Sequence, residues 1–420
     1  MAQPAFKTHQ GMNDILPDET PEWQAIEHII RDEARKFNFE EIRTPILEPT
    51  ELIARGVGEE TDIVSKEMFS FQRGDDNYVL RPEGTAPVAR AYVQHHLEQR
   101  GGTQNLFYIG PMFRAERPQK GRQRQFHQFG AEIIGAADPV ADADMIAYLQ
   151  AVYHRIGITN TTLKINSVGN PQSRKKYRAA LESYFKPHFN ELSEISQKRF
   201  KKNPFRILDS KEPEDQDLIK KAPVMTEFLS DESANHYKKV KEMLTELDIS
   251  FEEDPYLVRG LDYYTRTAFE LISPDLGAQD ALGGGGRYDL LIEEIGGQPT
   301  PAVGFAAGIE RLIIACEELD IQLSKPKSTD VYIVTIGERA IKWAAAHLGD
   351  FRKAGISATM DYKGRSIKSQ MKDANRENAR YALIVGDNEL NEGKFTFRDM
   401  EASEEDSISF AKVMQRIAQT

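Results

Sequence analysis

The sequence predicts an α+β core of strands and flanking helices, broken by a helical insertion and followed by a C-terminal α/β domain. Three observations carry that prediction. Leu106 to Ile134 reads as a strand, a basic loop and a return strand. The stretch from Ser173 to about Leu247 is rich in helical patterns. Beyond Val331 short apolar strands alternate with helices, the signature of a small α/β unit. At 420 residues the chain is long enough for two or three domains around a large core.

Composition narrows the class. With 40% hydrophobic and 29% charged residues the chain has an ordinary soluble balance. No apolar run approaches a membrane span, and the N-terminus lacks the apolar region of a signal peptide. Cys316 is the single cysteine, so no internal disulfide can form, and no metal-ligand spacing is present. A cytoplasmic protein without structural zinc and without a membrane partner is expected. The net charge of −12 argues against a general nucleic-acid coat and against DNA, but a local basic patch could still grip RNA phosphates.

In order, Phe6 to Pro17 reads as an irregular arm containing Gly11-Met12-Asn13-Asp14. Thr20 can cap a helix with Pro21 at its first position, and Trp23, Ile26, Ile30, Ala34 and Phe37 recur at helical spacing. Phe39 to Glu48 is extended around Pro45. Met68–Phe71 and Tyr78–Leu80 pair around a turn, and Arg81-Pro82-Glu83-Gly84-Thr85 leads into a helix from Ala86 to about Glu98. At that junction Thr85 could be a helix cap or, with Glu83, a ligand group.

The central hairpin holds the clearest chemistry. In Gln125 to Ile134, His127, Phe129, Ala131 and Ile133 share one face and should meet the core. Phe126, Gln128, Gly130 and Glu132 share the other, which gives an aromatic plate, an amide, a gap and a carboxylate: a ligand floor. The loop before it carries Arg114, Arg117, Lys120, Arg122 and Arg124 against Glu116 alone. Guanidinium forks beside an aromatic plate suit a nucleotide, although a solvated hairpin tip would also carry such a run.

After a helix over Asp142 to Ile156 and a strand at Thr162 to Asn166, the insertion carries the basic runs Arg174-Lys175-Lys176 and Lys198 to Lys202, read as solvated helix faces with RNA contact the minority alternative. Ile321 to Thr329 is a Ser/Pro linker. Strands follow at Val331–Val334, Ala358–Met360, Tyr381–Val385 and Lys394–Phe397, with helices at about 340–354, 366–378 and 405–418.

Phe113-Arg114-Ala115-Glu116, the loop and the aromatic strand resemble motif 2 of class II aminoacyl-tRNA synthetases, and the wording from Arg114 to Gln128 resembles the histidyl-tRNA synthetases in particular. The first helix with Phe39 to Glu48 is similar to motif 1, and Ala302 to Leu312 to motif 3. Val258-Arg259-Gly260-Leu261-Asp262-Tyr263-Tyr264 and Ala281 to Asp289 resemble the two peptides peculiar to the histidyl family, with Gly283 where cysteine is common. The resemblance covers nearly the whole length and is weakest in the insertion.

It implies a class II catalytic core, a mixed, mainly antiparallel sheet with flanking helices, in two parts, 1–170 and 249–323, around an insertion at 171–248, and an anticodon-binding domain at 330–420. It implies a homodimer, with motif 1 at the interface. The implied substrates are L-histidine, ATP with Mg²⁺, and tRNA(His). By the same resemblance Arg114, Arg259 and Arg311 are the catalytic cations, and Arg114, Glu116, Arg122, Phe126 and Arg311 bind ATP. Glu83, Gly84, Thr85, Gln128, Glu132, Arg259, Tyr263, Tyr264 and Tyr288 bind histidine. In the last domain Lys363, Arg365, Lys368 and Lys372 are candidate phosphate contacts. One rival is the non-catalytic regulatory subunit of ATP phosphoribosyltransferase, whose resemblance stops at the core. Another is a class II synthetase for proline, threonine or glycine, which leaves the two histidine-type peptides unexplained.

Overall fold

The computed structural model describes residues 6–58, 61, 63–279, 281–324 and 328–418. The chain forms two compact units, one from residues up to 16 and 22–323, the other from 17–21 and 324 onward. An eight-stranded sheet organises the first. Its order is Glu40–Glu41, Gln104–Phe113, Gln125–Ile134, Ala302–Gly308, Ala281–Arg287, Thr265–Ile272, Thr162–Ser167 and Glu252–Glu253. The six long strands are antiparallel, and the two dipeptide edges join in parallel. This is the mixed, mainly antiparallel core that the class II resemblance implies.

The period-2 reading of Gln125–Ile134 decides which face meets the main core. Phe129, Ala131 and Ile133 enter the main core with Tyr148, Val152, Phe269, Leu271, Val303 and Phe305. Helices Thr20–Lys36, Val140–Ile156, Asp231–Glu246 and Ile309–Glu318 cover that face through Ile26, Ile30, Leu149, Val240, Leu244 and Leu312. The opposite face carries a smaller aromatic cluster of Tyr108, Tyr263, Tyr264 and Tyr288, with helix Thr85–Gln94 beside it. A three-stranded sheet of Leu47–Pro49, Asp76–Leu80 and Phe69–Arg73 stands apart from the large one.

Within 171–248, Tyr177, Leu181, Phe185, Leu192, Ile207 and Ile219 make a separate small core. Asn170 opens it by accepting the Ser173 N–H at 2.9 Å, capping helix Pro171–Phe185. Helix Asp231–Glu246 leaves that cluster and packs on the main core through Tyr237, Val240 and Leu244.

The second unit is a five-stranded sheet in the order Ala358–Met360, Thr329–Thr335, Ala379–Val385, Phe395–Asp399, Glu405–Ile408, the first three parallel. Helices Glu338–Lys353, Ile367–Arg376 and Phe410–Ala418 go with it. Two expectations change here. The helix expected over 405–418 begins only at Phe410, because Glu405–Ile408 pairs antiparallel with Phe395–Arg398 and finishes the sheet. Arg365 is no simple phosphate cation: it ion-pairs with both Asp361 and Asp373, tying the turn to the helix, while Lys363, Lys368 and Lys372 stay exposed.

Candidate active site

The basic loop is folded back on the core, and its cations are aimed by backbone contacts. Arg114 N–H donates to the Arg124 carbonyl at 2.9 Å, closing the hairpin base. Gly11 braces the outside: its carbonyl accepts from Arg124 N and Gln125 N, and at φ +81 it sits so close that a Cβ would strike Pro118. Arg114 Nε donates to the Pro82 carbonyl at 2.9 Å, which sets its guanidinium 5.2 Å over the Phe126 ring. From across the sheet Arg311 Nη1 donates to the Ala281 carbonyl at 2.8 Å. Burial, and next the nearby Arg122 charge, lower the Arg311 pKa. These groups line one cleft of about 340 Å³ with Gln128 and Arg259, at the lower end of the usual range for ligand pockets. A concentration of like charge against an aromatic plate is a site for a polyanion with a ring.

Behind the cleft lies a buried polar cluster of a different kind. The Glu83 carboxylate accepts the N–H groups of Thr85 (2.7 Å) and Ala86 (2.8 Å), so Glu83, not Thr85, satisfies the start of the helix. Thr85 is released to donate its hydroxyl to Glu132 at 2.7 Å, and Tyr288 donates to the other Glu132 oxygen at 2.6 Å. Glu132 has no exposed surface. Its burial pushes the carboxyl well above the ordinary carboxylate range, the two hydroxyls pull it back, and Glu83 adds to the rise. Burial likewise raises Glu83, against the Ala86 and Thr85 N–H groups and the Arg114 charge. Tyr263 completes the wall, 4.7 Å from Tyr264 and 5.7 Å from Tyr288 between ring centroids.

Arg259 connects the two spaces. Its Nη1 donates to Glu270 at 2.8 Å. Burial opposes its charge, but Tyr264 and Glu270 outweigh that and leave its pKa raised. Gly284 makes room, since a Cβ there would touch the guanidinium. Arg259 Nε and Gln128 Oε1 are buried with no hydrogen-bond partner among the described residues. A buried donor and a buried acceptor left open, both in residues that line one cleft, are what a polar ligand would satisfy.

The structure thus brings Arg114, Glu116, Arg122, Phe126, Gln128, Arg259 and Arg311 to the cleft. It groups Glu83, Gly84, Thr85, Glu132, Tyr263, Tyr264 and Tyr288 behind it. Glu116 is engaged with Arg122, Nη1 to Oε2 at 3.4 Å. Sequence reasoning missed Tyr108, whose buried hydroxyl lies near Glu132 and Glu83, and the cleft carboxylates Glu270 and Glu310. Tyr108 shares a face with Leu106, so strand alternation could have flagged it. Glu270 is visible only once its strand is paired. Arg287, inside a signature peptide, has no exposure: it forms an ion pair with Asp142 and donates to the Ala136 carbonyl at 2.7 Å.

The chain is similar to known proteins over nearly its whole length. The family described as histidyl-tRNA synthetase matches residues 11–312, and the anticodon binding domain family matches 330–420. The histidine–tRNA ligase of Chloroherpeton thalassium is 49% identical over 416 residues, 98% of this chain and 97% of that protein. That of Bacillus subtilis is 46% identical over 408 residues, 96% of each. Among solved structures, apo S. aureus histidyl-tRNA synthetase aligns with a TM-score of 0.83 and 39% identity, over 98% of this chain and 100% of that one. An ATP phosphoribosyltransferase regulatory subunit/histidyl-tRNA synthetase from Bacillus halodurans C aligns at 0.65 and 24% identity over 92% and 99%, a likeness of fold. With matches of that extent over the whole chain, and a hydroxyl-held carboxylate behind an arginine-lined cleft, the chain belongs to the histidyl-tRNA synthetase family.

Proposed function

We propose that this protein is a histidine–tRNA ligase: it joins L-histidine to ATP as histidyl-adenylate, releasing pyrophosphate, and passes the histidyl group to the 3′ end of tRNA(His). One observation carries the reading. Glu132, buried and held by Thr85 and Tyr288, lies behind a cleft bearing Arg114, Arg122, Arg259 and Arg311. A carboxylate ringed by phenols suits imidazole, which offers one donor and one acceptor nitrogen. The rival regulatory-subunit reading is weaker, because the curated ligases match at about twice the identity and the chain carries the anticodon-type domain.

Adenylate formation requires the histidine carboxylate to attack the α-phosphorus while pyrophosphate leaves. Charge grows on the phosphoryl oxygens, so fixed cations lower the barrier. Arg114 and Arg259 face the α-phosphate, and Arg311 and Arg122 hold the tail. Phe126 stacks on adenine, and Glu116 takes its amino group. The imidazole sits between Glu132 and Tyr264, with Tyr263 and Tyr288 closing the wall. Glu83, Thr85 and Gln128 receive the α-ammonium, the segment through Gly84 keeping the backbone close; Gln128 and Arg259 orient the carboxylate. Mg²⁺ would travel with the triphosphate and neutralise part of its charge; Glu270 and Glu310, two of the four cleft carboxylates, would hold it. A pocket that bonds both ring nitrogens rejects apolar analogues by ~10⁴-fold or more.

The C-terminal unit serves the anticodon through its exposed Lys363, Lys368 and Lys372. A homodimer is supported by the exposed apolar surface of Ile46, Leu47 and Phe71 at the small sheet, between 42% and 46% accessible. Amino-acid-dependent pyrophosphate exchange across a panel of amino acids tests the proposal. Histidine alone should support exchange, and the same enzyme should charge tRNA(His). Exchange with another amino acid, or with none, overturns it.

A further inference from the structure

The peptide Val258 to Tyr264 carries Arg259 and Tyr264, yet it belongs to no strand or helix, so no regular ladder holds its carbonyls. Three of those carbonyls, at alternate residues, are taken by two arginines of the insertion. Arg174 Nη1 donates to Asp262 O at 2.9 Å and Tyr264 O at 3.2 Å. Arg206 Nη2 donates to Gly260 O at 2.8 Å. Both arginines are themselves fixed. Arg174 stacks its guanidinium 5.6 Å over the Phe205 ring, and Arg206 gives its carbonyl to Arg199 Nη1 at 2.9 Å. Burial lowers the Arg174 pKa, with Asp262 opposing. Its neighbours Lys175 and Lys176 are exposed, so only one residue of that basic run turns inward.

We infer that Arg174 and Arg206 are positioning residues for adenylate formation, holding the Arg259–Tyr264 peptide so that the insertion is part of the catalytic apparatus. The inference rests on the proposed roles of Arg259 and Tyr264. Neither Arg174 carbonyl contact involves a nucleotide-facing group, so its loss acts through the peptide. A displacement of about 1 Å in a catalytic cation can cost ~10²-fold in rate. Arg311, Arg114 and Phe126 are anchored elsewhere and should be unaffected.

Arg174→Gln, Arg174→Lys and Arg206→Ala, in the full-length protein, test this by histidine-dependent pyrophosphate exchange and by ATP binding measured without histidine. Arg174→Gln should lower kcat by ~10–100-fold and raise the histidine KM, with the ATP Kd within about two-fold. Arg174→Lys, which keeps charge but loses the planar fork, should recover only part of kcat. Arg206→Ala, at one exposed bond, removes a grip without endangering the fold and should lower kcat several-fold on its own; because Arg206 also borders the cleft, an ATP Kd within about two-fold is what assigns that loss to the peptide. In an Arg174→Gln, Arg259→Ala double variant the two losses should fall well short of adding, since the first acts through the second. Unchanged kcat in Arg206→Ala and in any folded Arg174 variant, or strictly additive losses, overturns the inference. If Arg259→Ala alone leaves exchange intact, the reading of the site fails first.

Discussion

Gly304 is the cross-strand partner of Glu132, and a single methyl on it would occupy the space of the Glu132 carboxylate. The glycine is there to leave a carboxylate room inside a sheet, not to bend the chain. Gly304→Ala should therefore expel Glu132 from between Thr85 and Tyr288, and histidine activation should fall by ~10²-fold or more. ATP binding, set at the other end of the floor, should persist. Isothermal titration with ATP beside histidine-dependent exchange checks the split; normal histidine use in the variant would show that Glu132 tolerates displacement.

Glu132→Gln separates stability from function. Because burial raises the Glu132 pKa in the folded state above the ordinary 4.5, the fold favours the protonated carboxyl. The cost of ionising it appears as pH climbs past 4.5 and grows until the folded-state pKa is passed. Gln does not bear that cost. Without ligand the variant should be more stable than wild type at neutral pH, the gap shrinking toward pH 4, while its histidine KM rises sharply. Thermal melts across pH measure the first and exchange kinetics the second. A variant less stable at neutral pH would mean that the two hydroxyls outweigh the burial.

Arg259 stands at the junction of the two spaces, braced by Glu270 at 2.8 Å. Arg259→His shortens the reach and loses the fork, so pre-steady-state adenylate formation should slow by ~10²–10³-fold while ATP binding changes little. Formation at wild-type speed would remove Arg259 from the chemistry.

Arg287, inside a signature peptide, lies in the interior with Asp142 and His236 (His236 Nε2 to Asp142 3.3 Å). Burial opposes the Asp142 charge, but Arg287 and His236 outweigh it and hold its pKa down at about 2. A depressed carboxylate contributes stability above its ordinary 3.8, lost as pH falls through about 2. Arg287→Met alone strands a buried charge and should cost about 3–5 kcal/mol. Adding Asp142→Leu should return most of it. Urea melts of the single and double variants decide; an additive second loss would show that the pair is not the reason for the cost.

What the sequence made legible follows periodicity. The two faces of Gln125–Ile134 are readable because alternation is strict there, and core and floor both fall out of it. Glu405–Ile408 is not: its four residues join without a break to the apolar helix at Phe410, and only their pairing with Phe395–Arg398 makes them a strand. Arg174 and Arg365 show a second limit. A basic residue in a basic run is solvated unless tertiary structure gives it a partner, and here the partners are 88 residues away in Asp262 and eight residues away in Asp373. Glu83 shows a third, for a carboxylate two residues before a helical N–H can serve as cap or ligand until its rotamer is known.

The division of the chain makes a last prediction. Every cation, carboxylate and phenol named for ATP or histidine lies between Glu83 and Arg311, within the first unit. From Ser324 onward the chain has its own sheet and its own core of Val331, Ile333, Phe351, Leu383, Phe395 and Phe397. A unit with a private core can be removed without opening its neighbour's. Cutting after Leu323 should leave a folded protein that still makes histidyl-adenylate, while charging of tRNA(His) nearly disappears. Lys363, Lys368 and Lys372 leave with the second unit, so RNA affinity and its salt dependence should fall together, phosphate contacts supplying both. Replacing the three lysines by alanine in the intact chain is the milder version, and should flatten the salt dependence without touching pyrophosphate exchange. Normal charging by the truncated core would take the anticodon role from the second unit. A folded core that no longer makes adenylate would mean that the second unit also supports the active site.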